Sequence, residues 1–142
     1  MKLSAIKTIF GLALCGFVTL AAAEDIVVVV NPKNSSAALT ADQVEGIFLG
    51  KTTSLPGGGT AAPVDQADGP VKDAFYQKAA SKDAAQVKAV WSRLVFSGKG
   101  TPPKAVGSSA DVKKFVAGNP NGIGYIEKSA ADTSVKVVFT LP

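Results

Sequence analysis

The 142-residue sequence contains no histidine, and its single cysteine, Cys15, lies in an early apolar stretch. Without histidine, the chain lacks His-based catalytic triads, histidine general bases and the usual zinc sites. The formal net charge is only +4, so no strongly basic patch favours nucleic acid. We therefore expect a protein that is not an enzyme, holds no metal or cofactor and has no nucleic-acid partner.

The first 23 residues have the pattern of a secretory signal peptide. Lys2 and Lys7 form a positive region, Ile9–Leu20 is apolar, and Ala21–Ala23 provides a cleavage site before Glu24. The sequence therefore predicts a signal peptide at residues 1–23 and a periplasmic or secreted domain at residues 24–142. Without the two lysines the formal charge of the remaining chain falls from +4 to +2.

Cys15 leaves a lipid anchor open as an alternative. The residues before it, Leu12–Leu14, fit a lipoprotein signal only in part, because the residue directly before the cysteine is a leucine rather than a small residue. If the chain is cleaved after Ala23, the mature protein contains no cysteine and no disulfide.

Hydrophobic periodicity and capping residues predict one α/β domain over residues 24–142. The β-branched run at Ile26–Val30 is typical of a strand buried on both faces. The other predicted strands are Thr60–Val64, Gly122–Ile126 and Ser134–Thr140. The first helix is predicted to begin after Thr40, which forms a capping box with Gln43, and to end at Gly50. Further helices are predicted at Pro70–Ala80, at Lys82–Val95 with Ser81 as its cap, and after Ser108 or Ser109, and Phe96–Lys104 is predicted as a loop. This order, β-α-β-α-α-α-β-β, predicts a three-layer α/β domain with a small mixed sheet.

The segment Asp65–Gly69 reads as a turn between the second strand and the second helix. Pro70 suits the first helical position, where no amide hydrogen is needed. The next amides at such a helix start lack intrahelical acceptors and can bind an anion. An ordinary strand–helix connection, or a calcium site using Asp65 and Asp68, remains as the alternative interpretation.

Four segments in order then resemble a known family. They are VVVVNPKN at residues 27–34, IFLGK at residues 47–51, DAF at residues 73–75 and GIGY at residues 122–125. Together they resemble the phosphate-binding proteins of bacterial ABC transporters, which are type II periplasmic binding proteins. The resemblance covers Val27 to Val138. It implies one lobe of that fold, a small-anion ligand such as phosphate, a role in transport or sensing, and a membrane transporter or envelope protein as partner.

The chain departs from the family at the ligand turn. The family's arginine position corresponds to Asp65, its hydroxyl positions correspond to Gly69 and Val71, and Pro70 has no amide hydrogen. The family has two lobes with phosphate between them, whereas the length here suffices for one. A homodimer could rebuild such a cleft.

Three features remain as candidate ligand contacts. They are Gly69, Val71 and Lys72 at the helix start, Lys99 and Thr101 in the sequence SGKGT, and Lys51 after the first helix. Each has a structural interpretation as well, since a lysine after a helix is favoured by the helix dipole. The leading functional hypothesis is a solute-binding-protein-like domain for phosphate or another small anion. The alternative is an envelope protein-interaction module that has kept the fold but not the ligand.

Overall fold

The computed structural model describes residues 24–142, so the predicted signal peptide and Cys15 lie outside the described residues. The strands are β1 (Ile26–Val30), β2 (Ala62–Gln66), β3 (Lys104–Val106), β4 (Gly122–Glu127) and β5 (Lys136–Leu141); the helices are α1 (Ala41–Phe48), α2 (Pro70–Ala80), α3 (Ala84–Phe96) and α4 (Ser109–Ala117), with a 3-10 turn at Lys128–Ala130. The five strands form one mixed sheet in the order β3-β2-β4-β1-β5. The predicted α/β fold class with a small mixed sheet is confirmed.

The β1 strand lies inside the sheet and pairs antiparallel with both β4 and β5. All five of its residues are buried, as predicted from the β-branched run. Residues Val28 and Val30 pack into one apolar core, while Val27 and Val29 pack into the other on the opposite face. Parallel pairing joins β2 to both β4 and β3.

Three helices, α1 to α3, cover one face of the sheet over a cluster of aromatic rings. Phe75 of α2 stacks on Tyr125 of β4 with ring centroids 3.9 Å apart, and Phe48 of α1 meets Phe75 edge-on at 4.9 Å. The buried Trp91 indole of α3 donates a hydrogen bond to the Phe48 carbonyl at 3.1 Å. This satisfies the single donor that a buried tryptophan requires.

The opposite face is covered by α4, which approaches the sheet closely at Gly124. A Cβ atom on Gly124 would lie 2.5 Å from Val112 Cγ1 and 2.8 Å from Val64 Cγ1. Any larger residue would therefore push α4 away from the sheet. The absence of a side chain at Gly124 therefore permits the close approach of α4 to the sheet. Helices on both faces of the sheet give the three layers predicted.

Local signals at α1 are confirmed. The Thr40 hydroxyl accepts a hydrogen bond from the Gln43 amide, and the Gln43 side chain accepts one from the Thr40 amide, which completes the capping box. Gly50, just past the helix, has a φ of +73°. Of the two serines considered for α4, Ser108 is the cap. Within residues 24–142, no helix is long and apolar enough to cross a bilayer.

Three predictions of element bounds are wrong. The second strand runs to Gln66, so Asp65 belongs to the strand rather than to a turn. Ser81 ends α2 with a φ of +53°, and α3 is instead capped by Asp83, whose carboxylate accepts from the Gln86 amide at 2.8 Å. The predicted loop Phe96–Lys104 leads into the missed strand β3. That strand has three residues and forms through its pairing with β2. A pairing between distant segments cannot be predicted from a local sequence pattern.

Candidate functional site

A pocket of about 450 Å³ lies where β2 and β3 end and where α2 and α4 begin. We call it the amide pocket; it is lined by Gln66–Val71, Gly107–Ala110 and Glu127. Because β2 and β3 are parallel, the two helices that follow them begin at the same edge of the sheet. Ligands of open α/β sheets bind at the carboxyl ends of the strands, where such helices begin.

The N-terminus of α2 has no side-chain cap. Its N-cap residue is Gly69, and Pro70 at the first helical position has no amide hydrogen. The first backbone donors of α2 are therefore the amides of Val71 and Lys72, which have no carbonyl to bind within the helix. The partial positive charge of the helix dipole is also greatest there, so this end of α2 favours an anion.

The N-terminus of α4 adds backbone amides and a hydroxyl group. The Ser108 hydroxyl accepts from the Asp111 amide at 3.3 Å, which leaves the Ser109 and Ala110 amides as the first donors of the helix. The Ser109 hydroxyl accepts from the buried Gln66 side-chain amide at 3.2 Å. Because that bond occupies a lone pair of the hydroxyl, its hydrogen remains available to a ligand.

The Asp65 side chain does not line the amide pocket. Its buried carboxylate accepts hydrogen bonds from the Tyr76 hydroxyl at 2.7 Å, from the Tyr125 hydroxyl and from the Gln66 amide at 2.8 Å. The Lys72 ammonium lies 3.9 Å from the same carboxylate. Burial, and then the charge of Asp65, raise the pKa of both tyrosines far above the usual range. Asp65 therefore ties α2 to β2 and β4.

This arrangement also bears on the calcium alternative. The Asp65 carboxylate is already bound by several donors, while the Asp68 side chain is 92% exposed and pairs with Lys72 at 3.3 Å. Among residues 24–142, no group of three or more acidic, histidine or cysteine side chains is placed to hold a metal ion. Around the amide pocket itself, Asp68 and Glu127 are the acidic residues that line the walls.

The predicted ligand residues fall into separate places. Gly69 and Val71 line the amide pocket, whereas Lys72 lines an adjoining groove of about 740 Å³ beside α3. We call this second cavity the α3 groove; its other walls include Trp91, Phe96 and Pro103. The Lys72 ammonium is thus near the amide pocket but directed toward the two aspartates of the groove.

Lys51 and Lys99 lie together elsewhere, in a hollow of about 380 Å³ that we call the lysine pocket. It is lined by Leu49–Lys51, Val90, Arg93, Leu94, Ser97 and Lys99. Thr101, predicted as a ligand contact with Lys99, is exposed and lines neither pocket. Arg93 also lines this pocket, and no pattern in the sequence groups it with the two lysines.

The lysine pocket forms because α1 and α3 end in the same way, each with the sequence Phe-x-Gly-Lys. The Lys51 amide donates to the Gly46 carbonyl at 2.8 Å, and the Lys99 amide donates to the Leu94 carbonyl at 2.9 Å. Gly50 and Gly98 have positive φ angles of 73° and 69°. In both helices a left-handed glycine is thus followed by a lysine whose amide closes the last turn, as in a Schellman motif.

Comparison with known proteins supports the fold. No known protein family and no curated protein matches the chain by sequence. One matching solved structure is a Clostridium perfringens protein described as a phosphate ABC transporter substrate-binding protein, with bound phosphate. It matches with a TM-score of 0.66 and 28% identity, over 81% of this chain and 44% of that chain.

Two further structures show the same fold at lower identity. An ABC-type phosphate transport receptor from Vibrio cholerae matches with a TM-score of 0.64 and 20% identity, over 81% of this chain and 45% of that chain. PstS from Borrelia burgdorferi matches with a TM-score of 0.64 and 12% identity, over 81% of this chain and 46% of that chain. This chain thus spans less than half the length of each of these proteins. Residues 24–142 have the fold of a periplasmic binding protein lobe, which they share with phosphate-transport proteins.

Proposed function

We propose that this protein is a solute-binding domain that binds phosphate or a similar small oxyanion in the amide pocket, for transport or sensing. The observation that carries the proposal is the convergence of two helix N-termini and the Ser109 hydroxyl on one pocket. Backbone amides at helix starts bind oxyanions without needing a cationic side chain. The fold neighbours that transport phosphate support the same ligand class.

The acidic residues of the pocket favour a protonated oxyanion. Asp68 and Glu127 repel a fully ionised ligand, but a carboxylate can accept a hydrogen bond from a ligand that retains a proton. Hydrogen phosphate retains one at neutral pH, whereas sulfate does not. We therefore expect the pocket to prefer phosphate to sulfate.

The proposal includes a cellular setting. Cleavage after Ala23 would release the domain to the periplasm or outside the cell, where it would act without catalysing a reaction and with a membrane transporter as partner. Its amide pocket is open on one side, and a single open lobe holds a ligand less tightly than a closed cleft. A second copy of this chain or the transporter itself would cover the pocket.

The alternative, an envelope protein-interaction module, is favoured by one observation. Phe96 and Val95, at the rim of the α3 groove, are 95% and 49% exposed. Apolar residues exposed together are typical of contact surfaces. If the protein binds no small anion, this groove is the surface to which a partner protein would bind.

Isothermal titration calorimetry of residues 24–142 with phosphate, and with sulfate as a control, tests the proposal. Replacing Ser109 with alanine removes a donor to a charged ligand, which is worth about 1.5–3 kcal/mol, so affinity should fall at least tenfold. Lys78→Ala, at the far end of α2, is the control and should leave affinity unchanged. Absence of phosphate binding to the unmodified protein would reject the proposal.

A further inference from the structure

We propose that the lysine pocket, together with the exposed end of α3, docks onto a membrane surface of anionic phospholipid. This surface is separate from the amide pocket, because the two cavities share no lining residue. The proposal does not depend on phosphate binding. It assigns one role to both Lys51 and Lys99, which do not line the amide pocket.

The charges around the lysine pocket complement an anionic surface. Lys51, Arg93 and Lys99 contribute three positive charges, none of the described lining residues is acidic, and Glu45 pairs with Lys51 at 2.8 Å. Among residues 24–142, Arg93 and Lys99 form no ion pair with an acidic side chain. Two helix C-termini also lie here, but each carries only about half a negative charge. The net charge around the lysine pocket therefore remains positive.

Apolar groups lie directly beside these charges. Val90 and Leu94 line the pocket between the cations and are partly exposed, whereas Leu49 forms its buried floor. Phe96, the last residue of α3, is 95% exposed; it lines the α3 groove and directly precedes Ser97 of the lysine pocket along the chain. A bilayer interface accepts such a combination, with apolar side chains entering the acyl boundary while lysine and arginine contact lipid phosphates.

A lipid surface fits these features better than a small soluble anion. The lysine ammoniums extend on flexible stems and offer no fixed set of converging donors, unlike the amides of α2 and α4. A soluble ligand in the lysine pocket would also leave Phe96 in water, because that residue is 95% exposed and does not line the pocket. The backbone beneath the cations is nevertheless fixed, because Lys51 and Lys99 each close a helix turn.

Vesicle co-sedimentation tests the proposal. The protein used would be residues 24–142, because the apolar segment Ile9–Leu20 would itself enter lipid. Residues 24–142 contain both packed faces of the sheet. We expect binding to phosphatidylcholine vesicles that contain phosphatidylglycerol and much weaker binding to phosphatidylcholine alone. Each basic residue near an anionic membrane contributes about fivefold in affinity, so the Arg93→Ala, Lys99→Ala double variant should bind about 25-fold more weakly.

Matched variants separate this docking from general charge attraction. Lys33→Ala with Lys114→Ala removes the same charge from exposed positions outside the lysine pocket and should change binding by less than threefold. Phe96→Ser should weaken binding about tenfold, since the ring would no longer enter the apolar layer.

Three outcomes of the vesicle assay would overturn the proposal. They are equal binding to both vesicle types, loss of binding in the Lys33 and Lys114 control as large as in the pocket variant, and complete release of the protein by inorganic phosphate at matched ionic strength. The last result would show that the pocket takes a free anion. Capture of an acidic partner protein without vesicle binding would likewise reject a lipid surface.

Discussion

The amide pocket and the lysine pocket are built in opposite ways. Two helix N-termini converge on the first, where acidic side chains line the walls, and two helix C-termini meet at the second, where cations do. Fixed backbone donors suit a small ligand of defined shape, while ammoniums on flexible stems suit a diffuse negative surface. A lysine after a helix is favoured by the helix dipole whatever its function, so the position of a lysine does not by itself identify an oxyanion site.

The largest expected effect comes from a change that disrupts both pockets. Phe75 is fully buried between Tyr125 and Phe48 and anchors α2 to the sheet. Phe75→Ala should lower the free energy of unfolding by about 3–5 kcal/mol through lost burial and a residual cavity. Urea denaturation followed by fluorescence measures this. Phe96→Ala, at an exposed position, is the control and should stay within about 0.5 kcal/mol of the unmodified protein.

A second change strains the lysine pocket while leaving the amide pocket intact. An alanine at Gly50 would need a left-handed φ, and its Cβ would lie 2.8 Å from Leu94 and 2.9 Å from Trp91. We expect Gly50→Ala to cost about 2–4 kcal/mol, because overpacking adds to the backbone penalty.

Gly98→Ala and Gly69→Ala calibrate that result. Gly98 has a φ of +69° but open space around it, so alanine should cost only about 1–2 kcal/mol. Gly69 has an extended backbone that any residue adopts, and its alanine variant should be stable to within about 0.5 kcal/mol. Thermal and urea denaturation of the three glycine variants measure the loss of stability in each and so give their order. Equal losses at all three positions would contradict the structural account of these turns.

The third prediction concerns pH and the network that positions α2. Burial and Asp65 raise the pKa of Tyr76 and Tyr125 above the ordinary value, which is about 10 in an unfolded chain. The unfolded state therefore loses protons above pH 10 while the folded state keeps them. The stability that the two tyrosines contribute should be constant up to about pH 9.5 and then fall by up to about 1.4 kcal/mol per pH unit for each tyrosine.

Tyr76→Phe tests this assignment. It removes one of the two titrating groups, so the loss of stability above pH 10 should become about half as steep. Urea denaturation at pH 8 to 11 measures the slope. An unchanged slope in the variant would show that Tyr76 is not held protonated by the fold.

The smallest expected effect is a difference between the two pockets in how ligand binding depends on ionic strength. Contacts between exposed lysines and a membrane are screened over roughly 8–10 Å at physiological salt, whereas hydrogen bonds to backbone amides act at contact distance. Raising NaCl from 50 to 300 mM should reduce vesicle binding by about tenfold and phosphate affinity by less than threefold. Parallel salt series in both assays provide the comparison. An equal salt dependence would argue that both ligands use the same cations.

Sequence reasoning succeeded where the controlling interaction is local. The capping box at Thr40 and the left-handed Gly50 involve residues within a few positions of one another, and α1 was predicted from them. The continuous run of β1 likewise predicted burial on both faces. The same reasoning also placed the start of α2 at Pro70, and with it part of the amide pocket.

The remaining features depend on distant pairings. Gln66 and Ser109 are 43 positions apart, and they meet only because β3 pairs in parallel with β2. The strand β3 has three residues and no pattern of its own, so the sequence did not indicate that α4 begins beside α2. For the same reason Ser109 was considered only as a cap. The grouping of Lys51 with Lys99 and Arg93 follows from contact between the ends of α1 and α3, which no spacing in the sequence reports.

The most direct test of the central claim is a phosphate titration of ¹⁵N-labelled protein, followed by the shifts of individual backbone amides. The account predicts saturable shifts at Val71, Lys72, Ser109 and Ala110, with little change at Lys51 and Lys99. If the largest saturable shifts instead fell at Lys51 and Lys99, or if no amide moved, the assignment of the oxyanion to the two helix N-termini would be wrong.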